Sequence, residues 1–217
     1  MSVNIDTISD INTYGVDVAN REIYLHSYIA NSEDDPGIDY KMSASFYKNL
    51  RILDTTNHDP IIIHMSSIGG NWNDGMTIFD SITACQSYVT IIAYGQAESM
   101  SSIILQAADK RVLTPNAYFM CHFGSSGYSG AYLDFQKSAE FEKRQTEKML
   151  DIYTDSCISG KYFKERYTEP SHGKVKSFLK RKFKEGDWYL DANESVYYGF
   201  SDQVLSTRKC ININSLK

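Results

Sequence analysis

The chain has 217 residues, 42% of them hydrophobic and including sixteen Tyr and ten Phe, enough to bury one substantial core. Its 27 acidic against 22 basic residues give a formal charge of −5, which argues against nucleic acid as a general partner. No apolar run approaches the ~20 residues of a membrane span, and the polar start lacks the apolar segment of a signal peptide. Cys85, Cys121, Cys157 and Cys210 are far apart with no CxxC pair. Free thiols in a cytoplasmic protein are expected, with neither a disulfide framework nor a structural zinc.

Residues 1–20 are rich in Asn, Asp and Ser and are expected to form an arm or loop. Arg21 to His26 reads as a strand, and an acidic turn follows from Asn31 to Gly37. Phe46, Tyr47, Leu50 and Leu53 recur at helical spacing. Asn57-His58-Asp59-Pro60 turns the chain into Ile61 to Ser66, apolar throughout, as in a strand covered on both faces by helices. Ser67-Ile68-Gly69-Gly70-Asn71 joins that run to a helix from Asp74 to Ala84. The paired glycines permit positive φ and bring amides close to a ligand, although a plain strand-to-helix turn also explains them.

Val89 to Ala93 is the next strand, and Ser99 to Ala108 the next helix. Ser99 therefore sits where a strand gives way to a helix, with first-turn amides free to point at a bound group. That position suits a nucleophile, and it equally suits a helix N-cap. Arg111 to Leu113 and Tyr118 to His122 are further strands, and the alternation argues for βα units on a largely parallel sheet. Phe123 to Gly130 is a Gly/Ser-rich loop or exposed strand. Residues 131–157 then form one long charged helix, with Glu140/Arg144 and Lys143/Glu147 at i,i+4 and a partial apolar face of Phe141, Met149, Leu150 and Tyr153. So polar a helix is expected to project and meet another subunit.

Six basic residues between Lys174 and Lys184 would suit a patch for nucleic acid or an acidic partner, but read first as the solvated side of an amphipathic helix, its apolar face being Val175, Phe178, Leu179 and Phe183. Gly186-Asp187-Trp188 leads into a short helix from Ala192 to Tyr198, stopped by Gly199, and a weakly patterned tail. His122 ends an apolar strand beside a Gly/Ser loop, so it can reach a cleft; His64, inside a buried run, reads as a packed core histidine. An imidazole that takes the Ser99 proton needs a carboxylate to hold its tautomer. Spacing does not select that carboxylate; Asp187 is one candidate among 27 acidic residues.

Gly95-Gln96-Ala97-Glu98-Ser99-Met100 resembles the Gly-Gln-Ala-Ala-Ser-Met nucleophile motif of the proteolytic subunits of Clp proteases. Ser67-Ile68-Gly69-Gly70 resembles that family's oxyanion loop, Met120-Cys121-His122 the segment that delivers its base, and Asp187-Trp188-Tyr189-Leu190 its C-terminal acid segment. The resemblance covers residues 21–205, with 206–217 left as a tail. It implies an α/β, ClpP/crotonase-like ββα superhelix with a protruding handle helix over 131–157. It further implies Ser99, His122 and Asp187 as catalytic residues, with the Gly70 and Met100 amides as oxyanion hole. Gly69, Gly127, Tyr128, Ser129 and Gly130 would hold an extended peptide. The implied activity is serine endopeptidase action on unfolded polypeptides, without metal or organic cofactor. It would take place in a homo-oligomer of stacked heptameric rings fed by an AAA+ unfoldase. Ile68 stands where the family has proline, Glu98 where it has a small residue and Ser101 where it has glycine; residues 161–186 look longer. A catalytically silent subunit of a mixed ring and a crotonase-type acyl-CoA enzyme are the rival readings.

Overall fold

The computed structural model describes residues 5–26 and 37–205; the acidic turn expected from Asn31 to Gly37, apart from Gly37, and the tail from 206 lie outside them. Its strands are β1 (Val16–Asp17), β2 (Glu22–His26), β3 (Ile61–Ser67), β4 (Val89–Glu98), β5 (Lys110–Leu113), β6 (Tyr118–Cys121), β7 (Trp188–Leu190) and β8 (Gln203–Val204). Its helices are α1 (Ile5–Tyr14), α2 (Tyr40–Thr56), α3 (Trp72–Thr83), α4 (Met100–Leu105), α5 (Tyr132–Cys157), α6 (Lys161–Arg166), α7 (His172–Lys184) and α8 (Ala192–Tyr198).

The strands form one sheet in the order β1-β2-β3-β4-β5-β8, with β6 and β7 branching from β4. β2 through β5 and β8 run parallel, as right-handed βα connections require. The branch lies within β4. Thr90 to Ala93 pair with Lys110 to Leu113, whereas Gln96 to Glu98 pair with Tyr118 to Met120. Gly95, at φ +63°, supplies the bend between the halves. The strand expected to stop at Ala93 thus continues to Glu98, because its second half is held by a partner distant in sequence.

Ile61, Ile63 and Met65 share the main core with Phe46 and Leu50 of α2 and Ile78 of α3. The opposite face of the sheet carries a separate cluster of Ile62, Ile92 and Val112, packed by Tyr94 and Leu205. No helical residue among those described joins that cluster, so the expectation of helices on both faces of β3 holds for one face only. His64 is a satisfied core histidine: its ring bonds Tyr94 Oη at 3.0 Å and Glu22 at 3.2 Å and stacks on Tyr24.

The start of the chain departs from expectation. Residues read as an arm or loop carry α1 and β1, and β1 pairs antiparallel with β2. Ile5, Ile8 and Ile11 do recur at three-residue spacing, a helical signal outweighed by their polar neighbours.

α5 divides into two parts. Met149, Leu150, Tyr153 and Cys157 are buried, while Tyr132, Leu133, Phe135 and Phe141 remain largely exposed. The i,i+4 pairs expected along α5 are not among its ion pairs. Glu147 instead meets Lys176 and Lys180 of α7, each at 3.0 Å, and Lys176 also reaches Asp151 at 2.6 Å. α7 lies along α5 and brings ammonium groups to the carboxylates from outside the helix. Its apolar face, Val175, Phe178, Leu179 and Phe183, is buried as its periodicity predicts. Cys85, Cys121 and Cys157 are free thiols, and Cys210 lies outside the described residues. No described helix is long and apolar enough to cross a membrane.

Candidate active site

Ser99 connects β4 to α4, and its backbone at φ +51° lies in a region that side-chain-bearing residues seldom occupy. The strain is held by neighbours on both sides. Its amide bonds Met120 O at 2.9 Å across β6, and its carbonyl accepts from the Ser102 amide at 3.0 Å and from Ser102 Oγ at 2.6 Å. The Ser99 hydroxyl makes no capping bond to α4. It points instead to His122, with Oγ 2.8 Å from Nε2.

The other ring nitrogen, Nδ1, lies 2.9 Å from Asp187 Oδ1. Sheet register explains this meeting of residues 65 positions apart. β6 and β7 run antiparallel, with Cys121 opposite Trp188. The residue after Cys121 and the residue before Trp188 must then face each other across the pair. Gly186 turns the chain into β7 at φ +118°. Asp187 remains half exposed, at 52% for its side chain.

Gly69 and Gly70 close the other side of the site. A Cβ on Gly69 would stand 2.6 Å from Ser99 Cβ, and one on Gly70 would collide with the Ile38 backbone. Both have positive φ, so glycine is demanded here by conformation and by space. Main-chain bonds from Ile38 N to Gly69 O, 2.7 Å, and from Asn71 N to Ile38 O, 2.8 Å, fix the loop. The Gly70 and Met100 amides have no acceptor among the described residues.

Two hydroxyls went unassigned in the sequence. Ser101 is fully buried, and its Oγ lies 2.7 Å from both Ser67 O and Glu98 O, joining the Gly69–Gly70 loop to the serine turn. Ser102 Oγ lies 2.6 Å from Tyr153 Oη, connecting that turn to α5. A hydroxyl-rich first turn opening an otherwise apolar helix was the available signal. Glu98 is not in the cavity lining. Burial pushes its carboxyl up, Asp187 adds to that, and His122 opposes it.

Ser99 and His122 open onto a cavity of about 540 Å³ with Trp72, Met100, Ile103, Met149 and Glu142 in its walls. Gly69 and Gly70 line it too. Gly127, Tyr128, Ser129 and Gly130 do not: they form an exposed, non-strand stretch at its edge, where Ser125 and Ser126 take the lining positions. Among the described residues no three His, Cys, Asp or Glu side chains gather to hold a metal.

Fold and site together define an α/β protein of ClpP/crotonase-like architecture, with a serine, a histidine and a carboxylate in hydrogen-bonded sequence. The family model described as Clp protease matches residues 33–208, and the chain belongs to that family of peptidases. Curated relatives include the ATP-dependent Clp protease proteolytic subunits of Deinococcus radiodurans and Streptococcus mutans. The first is 28% identical over 171 residues, spanning 77% of this chain and 76% of the relative. The second is 29% identical over 177 residues, spanning 79% and 82%. Among solved structures, a mutant ClpP1 from Listeria monocytogenes superposes with a TM-score of 0.69 at 21% identity, over 88% of this chain and 94% of the other.

Proposed function

We propose that this chain is a serine endopeptidase of the Clp type in which Ser99 is the nucleophile, His122 the general base and Asp187 the carboxylate that orients it. The observation that carries this reading is the unbroken chain of contacts from Ser99 Oγ through both His122 nitrogens to Asp187. With Asp187 accepting from Nδ1–H, Nε2 is left as the acceptor for the Ser99 proton. Ser99 Oγ adds to the scissile carbonyl carbon as its proton passes to Nε2. The carbonyl oxygen becomes an oxyanion that accepts from the Gly70 and Met100 amides, a role supported by their having no other acceptor among the described residues. Collapse breaks the C–N bond, the imidazolium returns its proton to the departing amine, and an acyl-Ser99 remains. Water, deprotonated by His122, then repeats the sequence and releases the acid.

An extended polypeptide lies beside Gly69 and the exposed Gly127 to Gly130 stretch, whose main chain is available for strand-like pairing. Main-chain pairing of that kind demands an unfolded substrate. The active form is a homo-oligomer of stacked heptameric rings enclosing the sites, with an ATP-dependent unfoldase feeding them. The large exposed side chains near the start of α5 support this assembly, because another copy would cover them. The test is hydrolysis of a fluorescently labelled, permanently unfolded protein. Ser99→Ala and His122→Ala should each lower turnover by about 10⁴-fold or more. Retention of turnover by Ser99→Ala would overturn the assignment.

A further inference from the structure

We infer that Glu142 makes the cavity beside Ser99 select a long side chain ending in a cation, Lys or Arg, for the residue just before the cut bond. This inference rests on the peptidase reading above. The cavity's 540 Å³ lies within the range of ordinary ligand clefts and admits a long side chain. Trp72, Ile103 and Met149 give it an apolar flank suited to the methylenes of such a side chain. Glu142 is the single acidic residue in the lining, and no Lys or Arg lines it.

The Glu142 carboxylate is held in place yet incompletely used. Oε2 accepts from Ser126 Oγ at 2.6 Å, which ties α5 to the loop after His122. Oε1 has no protein donor among the described residues. Lys137 lines the adjoining hollow, which shares Glu142, but the two form no ion pair. A carboxylate offers acceptors only, so whatever completes it must donate. An ammonium or guanidinium satisfies both the charge and the open lone pairs. A neutral apolar end satisfies neither, and an acidic end is repelled.

The test uses peptidyl diphenyl phosphonates that differ only in the terminal side chain: lysine, norleucine or glutamate. In the labelling step Ser99 Oγ bonds to phosphorus, phenoxide leaves and His122 takes the serine proton. Rates are measured on the full-length assembled protein, with a non-peptidic fluorophosphonate as reference. Lysine should exceed norleucine by roughly 5- to 10-fold, as for a half-exposed ion pair, and should exceed glutamate by more. Glu142→Gln keeps an acceptor for Ser126 and should bring the lysine-to-norleucine ratio to about 1. Lysine no faster than glutamate in the unmodified protein, or a ratio unmoved by Glu142→Gln, overturns the inference. Fluorophosphonate labelling of Ser99 in that same sample would leave the peptidase reading intact, whereas its absence would remove both.

Discussion

Ser101 and Glu98 flank the proposed nucleophile and differ from the residues that Clp proteases are expected to carry there. Ser101 holds the serine turn and the glycine loop together through one buried hydroxyl. Ser101→Ala removes that tie and, on the proposed mechanism, lets the Gly70 amide drift from where the oxyanion would form. Because misplacement of that kind acts on the transition state, kcat should fall on the order of 10- to 100-fold while KM changes little. Steady-state kinetics on a peptide substrate checks this, and a rise in KM alone would assign Ser101 to substrate binding instead. Glu98 acts through its environment. Burial and Asp187 raise its carboxyl, so the native state holds the proton more tightly than the unfolded chain does. Its ionisation therefore destabilises the fold as pH rises above the usual carboxylate value of ~4.3. Glu98→Gln should raise the melting temperature at neutral pH by ~1–2 °C, and the gain should vanish near pH 4. Thermal melts at the two pH values measure the difference; an equal shift at both would deny the titration any part in it.

At the scale of elements, the α5–α7 pairing separates ionic from apolar stabilisation. The Lys176 and Lys180 contacts join partly exposed side chains, so solvent screening leaves them little weight. Leu179 of α7 is fully buried and belongs to the main core. Leu179→Ala should cost about 2–5 kcal/mol of unfolding free energy, and Lys180→Ala less than ~1 kcal/mol, as read by chemical denaturation. The same contrast explains what the sequence revealed. Apolar periodicity placed α7 and its buried face correctly, because burial follows from each helix's own pattern. It did not reveal where α5 sends its carboxylates, since Glu147 finds Lys176 only once two distant segments meet. β4 repeats the lesson: Val89 to Ala93 announce themselves, but Gln96 to Glu98 become strand through pairing with β6. In the site, Ser99 and His122 were legible from local pattern and resemblance. Asp187 was one of many carboxylates by spacing and was singled out by resemblance alone; the β6–β7 register supplies the physical reason, setting it opposite His122. Ser101 stood out only as a departure from glycine, and its contacts, like those of Ser102 and Glu142, come from packing.

Across the whole molecule, the sheet presents its serine turn, glycine loop and β6–β7 edge to one cavity, and α5 extends beyond that cavity with apolar side chains uncovered. Ser99, His122 and Asp187 meet within a single chain, whereas Tyr132, Leu133 and Phe135 near the start of α5 are exposed. On the proposed reading chemistry belongs to the protomer and enclosure to the assembly, so the two are separable by experiment. The most direct measurement is fluorophosphonate labelling of the purified native protein beside Ser99→Ala, with each sample resolved by size. The account predicts labelling that requires Ser99, in a particle of several hundred kilodaltons, with Ser99→Ala unlabelled yet of the same size. A native particle that takes no label, or a Ser99→Ala protein that still does, would contradict it.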